Sequence, residues 1–362
     1  MSKIFFTGFP GFLGSELVPR VLARAAGDTV SCLVQPKFAA LAAERVREIE
    51  AGAPELAGRI ELVEGDITVP GLALAEPTRL AAETREIFHL AAIYDLSVPR
   101  ALGMKVNVEG TRNLLDFAGQ CRDLRRFQYV STCYVSGRYS GIFREDDLAK
   151  GQTFNNFYEE TKFLAEVEVQ ERMRQGLPAT IYRPSIVVGD SRSGSTQKYD
   201  GPYFAMRWLL RQPSIAVMPV AGDAKRTRLN LVPRDFVIAA MSYLSALPEA
   251  GGRVYQLADP EPLTIDEMLT ALAQATGRVI VRVPLPVGMA KAAIDWVPGV
   301  YWLMKIPAAT VDYFAHPTFY DTANAQRDLG PAGLHVPPLR SYLDTLVGFM
   351  KAHPEIGSEA MV

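Results

Sequence analysis

The sequence predicts a doubly wound α/β fold, a mainly parallel sheet covered by helices on both faces, followed by a smaller C-terminal α/β annex. Three observations carry this. Strand and helix signals alternate through the first half, a glycine-rich turn joins the first strand to the first helix, and the pattern breaks up after Val188. Repeated strand–helix units of this length need crossover connections, which make the strands parallel. Lys3–Thr7 (KIFFT) is an apolar run of strand length, and Phe12–Ala26 reads as the helix that follows it. Thr29–Val34 (TVSCLV) is a second strand, Lys37–Ala51 a helix, and Arg59–Val63 a third strand. Arg85–Ala91 is a fourth, followed by a helix over Arg100–Gly119. Arg126–Ser131 (RFQYVS) is a fifth, with a helix over Asn156–Gln175 after a long loop, and Ala179–Tyr182 is a sixth. Residues 1–188 are therefore expected to form the dinucleotide-binding domain, and 189–362 the annex with a helical C-terminal region, the two free to interleave. In the annex, Gly189–Pro202 reads as a mobile loop. Helices near Tyr203–Arg211, from Arg234 and from Ile265 alternate there with strands near Arg228–Val232 and Arg253–Leu257.

Composition narrows the function classes. Of 362 residues, 48% are hydrophobic and 22% charged, enough for a sizeable core. Lys plus Arg total 38 against 40 Asp plus Glu, a formal charge of -2. Nucleic-acid binders need a concentrated basic surplus, so none is expected as a partner. Cys32, Cys121 and Cys133, without a CxxC pair, suit neither a disulfide framework nor a zinc knuckle. His89, His316, His335 and His353 are too far apart for a local metal motif, so no metal is expected, and a cytoplasmic location is. No stretch reaches the ~18–20 apolar residues of a membrane span. The closest, Val283–Phe314, is interrupted by prolines and charges. Its aromatic residues, among them Trp296, Tyr301 and Trp302, are expected to pack on the annex core, roof an apolar pocket or touch a membrane surface. Nothing in the sequence specifies an oligomeric state.

The chemistry-bearing residues cluster at predicted strand ends, where such sheets bind their ligands. Thr7-Gly8-Phe9-Pro10-Gly11-Phe12-Leu13-Gly14 opens a helix directly after a strand. Glycines there let backbone approach a pyrophosphate, and the helix N-terminus offers free N–H groups and partial positive charge. The second strand ends at Val34 and is followed by Gln35, Pro36 and Lys37, where an acid would bind the ribose of NAD. With no carboxylate to repel a 2′-phosphate and Lys37 to attract one, NADPH is the expected cofactor; Arg45 is a weaker candidate for the same task. Asp66 is placed to accept from the adenine amino group, or else to make a turn; Ala91 and Ala92 let a cofactor lie against bare backbone. Tyr158 and Lys162 are four residues apart on one helix face. A nearby ammonium favours the phenolate and brings a tyrosine of ordinary pKa ~10 towards the range of acid–base catalysis. Ser131-Thr132 puts hydroxyls at the carboxyl edge of the sheet, and Asn107 lies in the preceding helix.

Taken together, TGFPGFLG (Thr7–Gly14), GDI (Gly65–Ile67), HLAA (His89–Ala92), NVEGT (Asn107–Thr111), VSTCYVSG (Val130–Gly137), YEETK (Tyr158–Lys162) and YRPSIVVG (Tyr182–Gly189) resemble an extended short-chain dehydrogenase/reductase with a Rossmann domain. The resemblance spans roughly the first half of the chain. It implies Thr132 as the catalytic hydroxyl, Tyr158 as proton donor, Lys162 as partner of Tyr158 and of the nicotinamide ribose, and Asn107 as organiser of a relay water. It also implies cofactor contacts from Ile67, Ala91, Ala92 and Ile93, with Pro184, Ser185, Ile186 and Val187 flanking the nicotinamide amide. Within that superfamily, NNFYEETKFLAE, HLAAIYDLSVP and RPSIVVGDSRSG resemble the fatty acyl-CoA reductase and thioester reductase branch. The implied substrate is apolar, a fatty acyl thioester on coenzyme A or a carrier protein, or its aldehyde. No carrier segment is attached, so the thioester is expected from elsewhere, and Arg234 stands where relatives commonly have a small apolar residue. Lys225-Arg226-Thr227-Arg228 is the densest basic run for coenzyme A phosphates, or else a solvated loop. Cys133 and Tyr134 after Thr132 argue against a sugar-nucleotide dehydratase, and Gln35 with Lys37 against an NAD-dependent epimerase. A ketone or hydroxysteroid dehydrogenase is the alternative enzyme; a non-catalytic NADP-binding scaffold or redox sensor is the alternative of another class.

Overall fold

The computed structural model describes residues 2–286, 288–289 and 312–358. The first half runs β1 (Lys3–Thr7), α1 (Gly14–Leu22), β2 (Thr29–Val34), α2 (Ala39–Gly52), β3 (Ile60–Glu64), α3 (Pro77–Glu83) and β4 (Thr84–His89). Then come α4 (Arg100–Gly103), α5 (Gly110–Ala118), β5 (Arg126–Val130), β6 (Gly141–Phe143), α6 (Phe157–Arg174), β7 (Ala179–Pro184) and β8 (Ile186–Val188). Seven parallel strands make the main sheet, ordered β3-β2-β1-β4-β5-β7 with a seventh, β11 (Val254–Leu257), beyond β7. The chain reverses direction across the sheet between β1 and β4, where Thr7 pairs with His89. Ligands bind at such switch points.

Both faces of the sheet are covered, which is why its strands read as continuous apolar runs. Ile4 and Phe6 point to the α1 side, into a cluster with Val18, Val21, Val237 and Met241. Phe5 points the other way, against Phe117 and Leu114 of α5. All three β1 side chains are fully buried. Each contributes roughly 1.5–3 kcal/mol of transfer free energy.

The boundary at residue 188 divides the sequence but not the sheet. β11 and α8 (Arg234–Ala246) come from beyond it, yet one is a sheet strand and the other packs beside α1. The annex core is separate, built by α7 (Pro202–Leu210), α9 (Ile265–Thr276), α11 (Leu339–Ala352) and the paired strands β9 (Ile215–Ala221) and β12 (Val279–Leu285). Pro219 and Pro284 inside β9 and β12 hide both strands from a sequence reading, since proline is tolerated only where no ladder hydrogen bond is needed.

Three expectations are corrected. The strand expected at Arg228–Val232 is β10 (Leu231–Pro233), paired with β8. Upstream, the Asn230 side chain takes the ladder's place, bonding both the carbonyl and the N–H of Asp259. The helix expected over Arg100–Gly119 is interrupted by a π-helical turn at Met104–Glu109, centred near Asn107. Such turns widen a helix by one residue and frequently mark functional sites. Finally, Val283–Leu285 of the apolar segment belong to β12. Trp296, Tyr301 and Trp302 lie outside the described residues. The remaining elements, β13 (Thr318–Tyr320) and α10 (Ala323–Leu329), tie the C-terminal region back to β6 and β11: β13 pairs with β6, and Asn324 of α10 donates to the Val254 carbonyl.

Candidate active site

A cavity of about 780 Å³ runs along the carboxyl ends of β1, β2, β4, β5 and β7 and into the annex. The turn from β1 to α1 forms one wall. Gly8 has φ +92°, and a Cβ there would come within 2.8 Å of Ala91 N; a Cβ on Gly11 would meet the Gly8 carbonyl at the same distance. The turn closes with Gly11 N–H donating to Gly8 O at 3.0 Å, and Thr7 through Gly14 all line the cavity. This is a cradle that side chains would fill, at the start of a helix, and it suits a pyrophosphate.

At the β2 end, Gln35, Lys37 and Arg45 line the cavity together. Lys37 Nζ lies 4.9 Å from the Phe38 ring centroid. Arg45 gives one nitrogen to Glu48 at 2.6 Å, and its Nε is buried without a partner. Asp66 does not line the cavity. Its Oδ1 accepts the Thr68 N–H at 2.8 Å, the turn-making role, while Gly65, Ile67 and Thr68 face the cavity instead. Ala91, Ala92 and Ile93 line it at the β4 end, and Pro184, Ser185, Ile186 and Val187 at the β7 end. The Ser185 hydroxyl is buried with no partner, a polar atom left for a ligand.

Thr132, Tyr158 and Lys162 all line the cavity. Thr132 caps the short turn after β5, accepting from Tyr134 N–H at 3.2 Å and facing the Pro184 carbonyl at 3.4 Å. Asn156 caps α6 through the Glu159 N–H at 3.0 Å, which starts the helix just ahead of Tyr158. A fully buried ion pair, Arg183–Glu166 at 2.6 Å with Ser131 on the same carboxylate at 2.5 Å, fastens α6 to β7 and β5. Burial pushes the Tyr158 phenol up, and the Thr132 hydroxyl beside it is the group that pulls it down. The Lys162 ammonium is turned to Tyr129 Oη at 3.0 Å and Val130 O at 2.8 Å. Desolvation holds Lys162 down at about 7, against a smaller opposing effect of Glu166.

Asn107 is not at the cavity surface. Its Oδ1 accepts the Ile93 N–H at 2.9 Å, and its Nδ2 donates to Ile93 O at 3.3 Å and Thr161 Oγ1 at 3.0 Å. With its amide engaged this way it holds the β4 loop to α6. The 225–228 run also lies off the cavity: Lys225 and Arg226 are exposed and Arg228 donates to the Pro262 carbonyl. Arg234 packs its guanidinium 5.0 Å from the Phe12 ring and donates to Ser195 Oγ at 2.9 Å, which braces the glycine turn rather than a substrate.

Sequence reasoning missed the aromatic and annex walls. Tyr94 stands edge-on to Tyr158, 5.0 Å between centroids, and Lys198 sits 4.2 Å above the Tyr94 ring. Tyr134 and Tyr313 pack edge to face at 4.8 Å. Beyond them Ala205, Leu229 and Met268, all buried, form an apolar wall. Tyr94 and Tyr134 lie inside motifs that were noticed; the annex residues carry no local signal.

Comparison with known proteins gives the family. The family model described as male sterility protein, an NAD-binding family, matches residues 6–241. The chain is 26% identical over 378 residues to the non-canonical nonribosomal peptide synthetase FrzA of Cladobotryum sp, covering 95% of this chain and 36% of that protein. It is 24% identical over 274 residues to fatty acyl-CoA reductase wat of Drosophila melanogaster, covering 66% of this chain and 53% of that one. The chain thus spans only a part of these relatives. The solved terminal R domain from the myxalamid PKS-NRPS biosynthetic pathway superposes with a TM-score of 0.82 at 29% identity, over 98% of this chain and 91% of that one. With a family match over most of its length, the chain belongs to the NAD-binding male sterility protein family, an oxidoreductase branch of the extended short-chain dehydrogenases/reductases.

Proposed function

We propose that this chain is an NADPH-dependent reductase of an apolar acyl thioester or of the aldehyde derived from it. One observation carries the reading: Thr132 and Tyr158 stand in a single cavity between a glycine cradle and the apolar wall of Ala205, Leu229 and Met268. The residues fit the cofactor. Gly8, Gly11 and Gly14 would hold the pyrophosphate, Lys37 and the orphaned Arg45 Nε the 2′-phosphate, and Ser185 the nicotinamide amide. Bound there, the nicotinamide supplies the hydride. The Thr132 hydroxyl and Tyr158 phenol bind the oxygen on which negative charge develops. Tyr158, kept protonated by burial, gives up its proton to that oxygen, and the Lys162 ammonium balances the phenolate left behind. On a thioester this yields a hemithioacetal that expels thiol, so one NADPH and one proton give aldehyde, thiol and NADP⁺. The thiol would be that of coenzyme A or a carrier protein. The relative named as a fatty acyl-CoA reductase supports a thioester, since an acyl-CoA is one.

The test is incubation of the purified protein with NADPH and a panel of acyl-CoAs, aldehydes and ketones. Thiol release matched to NADPH consumption is the expected result. Turnover of ketones with no reaction of any acyl-CoA would instead favour a ketone or hydroxysteroid dehydrogenase.

A further inference from the structure

We propose that residues 353–357 are a strap that fixes the substrate side of the cavity, and that Tyr199 is the positioning residue they act through. The proposal rests on the reading of this cavity as the site of carbonyl reduction. From Thr196 to Gly201 every residue lines the cavity except Tyr199. This stretch follows β8 and precedes α7, in neither strand nor helix. A stretch with no ladder of its own holds one shape only if other groups take up its polar atoms.

Those groups come from the segment after α11. Tyr199 is 1% exposed and packs in the annex core. Its N–H donates to Gly357 O at 2.8 Å, and its phenol donates to His353 O at 3.0 Å. Arg207 of α7 donates to Ile356 O at 2.8 Å, with its guanidinium 5.3 Å from the Tyr199 ring centroid. Ile356 itself packs on the annex core, which seats the strap. The Tyr199 ring also meets Tyr203 at 5.2 Å, and the Tyr203 hydroxyl accepts the Gly189 N–H at 2.8 Å. The loop is thus held at its start by Tyr203 and near its end by the strap. The strap takes part through backbone carbonyls, which any sequence would supply.

The residues either side of Tyr199 carry the consequence into the cavity. Lys198 and Asp200 pair at 2.5 Å, and Lys198 lies 4.2 Å above the Tyr94 ring that stands edge-on to Tyr158. Asp200 is the only carboxylate among the described residues that line the cavity. Adjacent residues share a backbone, so fixing Tyr199 fixes both charges and the polar rim they present to a substrate. A loop released from the strap spends part of its time in other shapes. Apparent substrate affinity then falls by the fraction of time the loop is correctly placed. The chemistry at Thr132 and Tyr158 is untouched once substrate is bound.

The test compares Tyr199→Phe with the parent by hydrogen exchange and by steady-state kinetics. The variant loses the bond to His353 and keeps the ring. Backbone amides of 196–201 and 355–357 should exchange roughly two- to tenfold faster, the factor set by one hydrogen bond between neutral groups. KM for the best substrate of the acyl-CoA, aldehyde and ketone panel, at saturating NADPH, should rise by the same factor. kcat and the NADPH dissociation constant should stay within about twofold of the parent, as expected when only substrate binding is affected. Arg207→Met removes the bond to Ile356 and should act alike, while Arg207→Lys keeps a donor and should recover most of the loss. These two serve if Tyr199→Phe fails to fold. Unchanged exchange of 196–201 in both Tyr199→Phe and Arg207→Met, or an unmoved KM beside faster exchange, would overturn the proposal. So would a fall in kcat and NADPH affinity alongside the rise in KM, because the strap would then be holding the fold at large. A parent that reduces no member of the panel, with a loop that still exchanges faster in Tyr199→Phe, would overturn the reading of the cavity and support the strap's hold on the loop.

Discussion

The two sides of the cavity are built on different principles. On the sheet side, nearly every polar group is tied to a specific partner: Thr7 to His89, Asn107 to Ile93 and Thr161, Lys162 to Tyr129 and Val130. On the annex side the wall is Ala205 of α7, Leu229 of the segment before β10 and Met268 of α9, joined by packing alone. Buried hydrogen bonds demand one geometry and penalise any other, whereas apolar contacts tolerate a range of shapes. The sheet side is therefore suited to hold reacting atoms in place and the annex side to choose among substrates. A variant on the first should change the rate of the chemistry; a variant on the second should change which substrate is preferred.

The sharpest break of this division is Tyr158→Phe. A positioned general acid typically contributes ~10²–10⁴ in rate. We expect kcat to fall by that order across every substrate while the NADPH dissociation constant stays within about twofold. A loss confined to long acyl substrates would place Tyr158 among the selecting residues instead.

Next in size is the cofactor choice. A hydrogen bond to a charged group contributes about 1.5–3 kcal/mol, equivalent to roughly 10–100-fold. Arg45→Ala should lower the NADPH-over-NADH preference in kcat/KM by that factor and leave acyl preference alone. Lys37→Ala should do so more weakly, since its ammonium rests over Phe38. A parent protein that uses both cofactors equally would remove the premise.

The lysine adds a pH signature to the sheet side. Burial lowers Lys162 from its ordinary 10.5 to about 7, so the ammonium is present below that pH and lost above it. kcat/KM for reduction should fall up to tenfold per pH unit on the basic side. Stability should move the opposite way. Between about 7 and 10.5 the unfolded chain binds a proton the folded one does not, so unfolding free energy gains from this residue as pH rises. Thermal melts of Lys162→Met against the parent should show that gain disappearing. Identical pH slopes in the two proteins would mean that Lys162 keeps its proton when buried.

How much of this was readable beforehand follows the same division. β1 to β5, β7, the glycine turn, Thr132, Tyr158 and Lys162 announce themselves locally, because each is a run or a fixed spacing within one element. Asp66 and Asn107 were assigned ligand-facing tasks, while in the structure Asp66 Oδ1 accepts the Thr68 N–H and the Asn107 amide bonds the Ile93 backbone and Thr161. Spacing shows that a side chain is near a site, not which of its hydrogen bonds are already made. Tyr129 was visible only as one letter of a strand, since the hydrogen bond it accepts from Lys162 crosses 33 residues and joins two elements. The annex wall was least readable of all. Ala205, Leu229 and Met268 are 63 residues apart end to end, and only the packing of α7 on α9 unites them.

That wall supplies the smallest and most selective prediction. Met268 faces the cavity from α9 while its own helix is packed into the annex core, so the side chain is fixed in place and its length sets how far an acyl chain can extend. Each buried methylene contributes ~0.8 kcal/mol, close to fourfold in kcat/KM. In the parent, kcat/KM should therefore climb about fourfold per added methylene and then level off where the chain meets Met268. Met268→Ala removes three heavy side-chain atoms, which should move the plateau to chains two or three carbons longer. The slope before the plateau should be unchanged, because the shorter chains never reach that residue. kcat on the shortest substrates and NADPH affinity should stay as in the parent, since no hydrogen bond on the sheet side involves α9. A plateau that does not move in Met268→Ala, or a fall in rate shared equally by all chain lengths, would mean that the annex wall holds the catalytic geometry as well, and the division between the two sides would not stand.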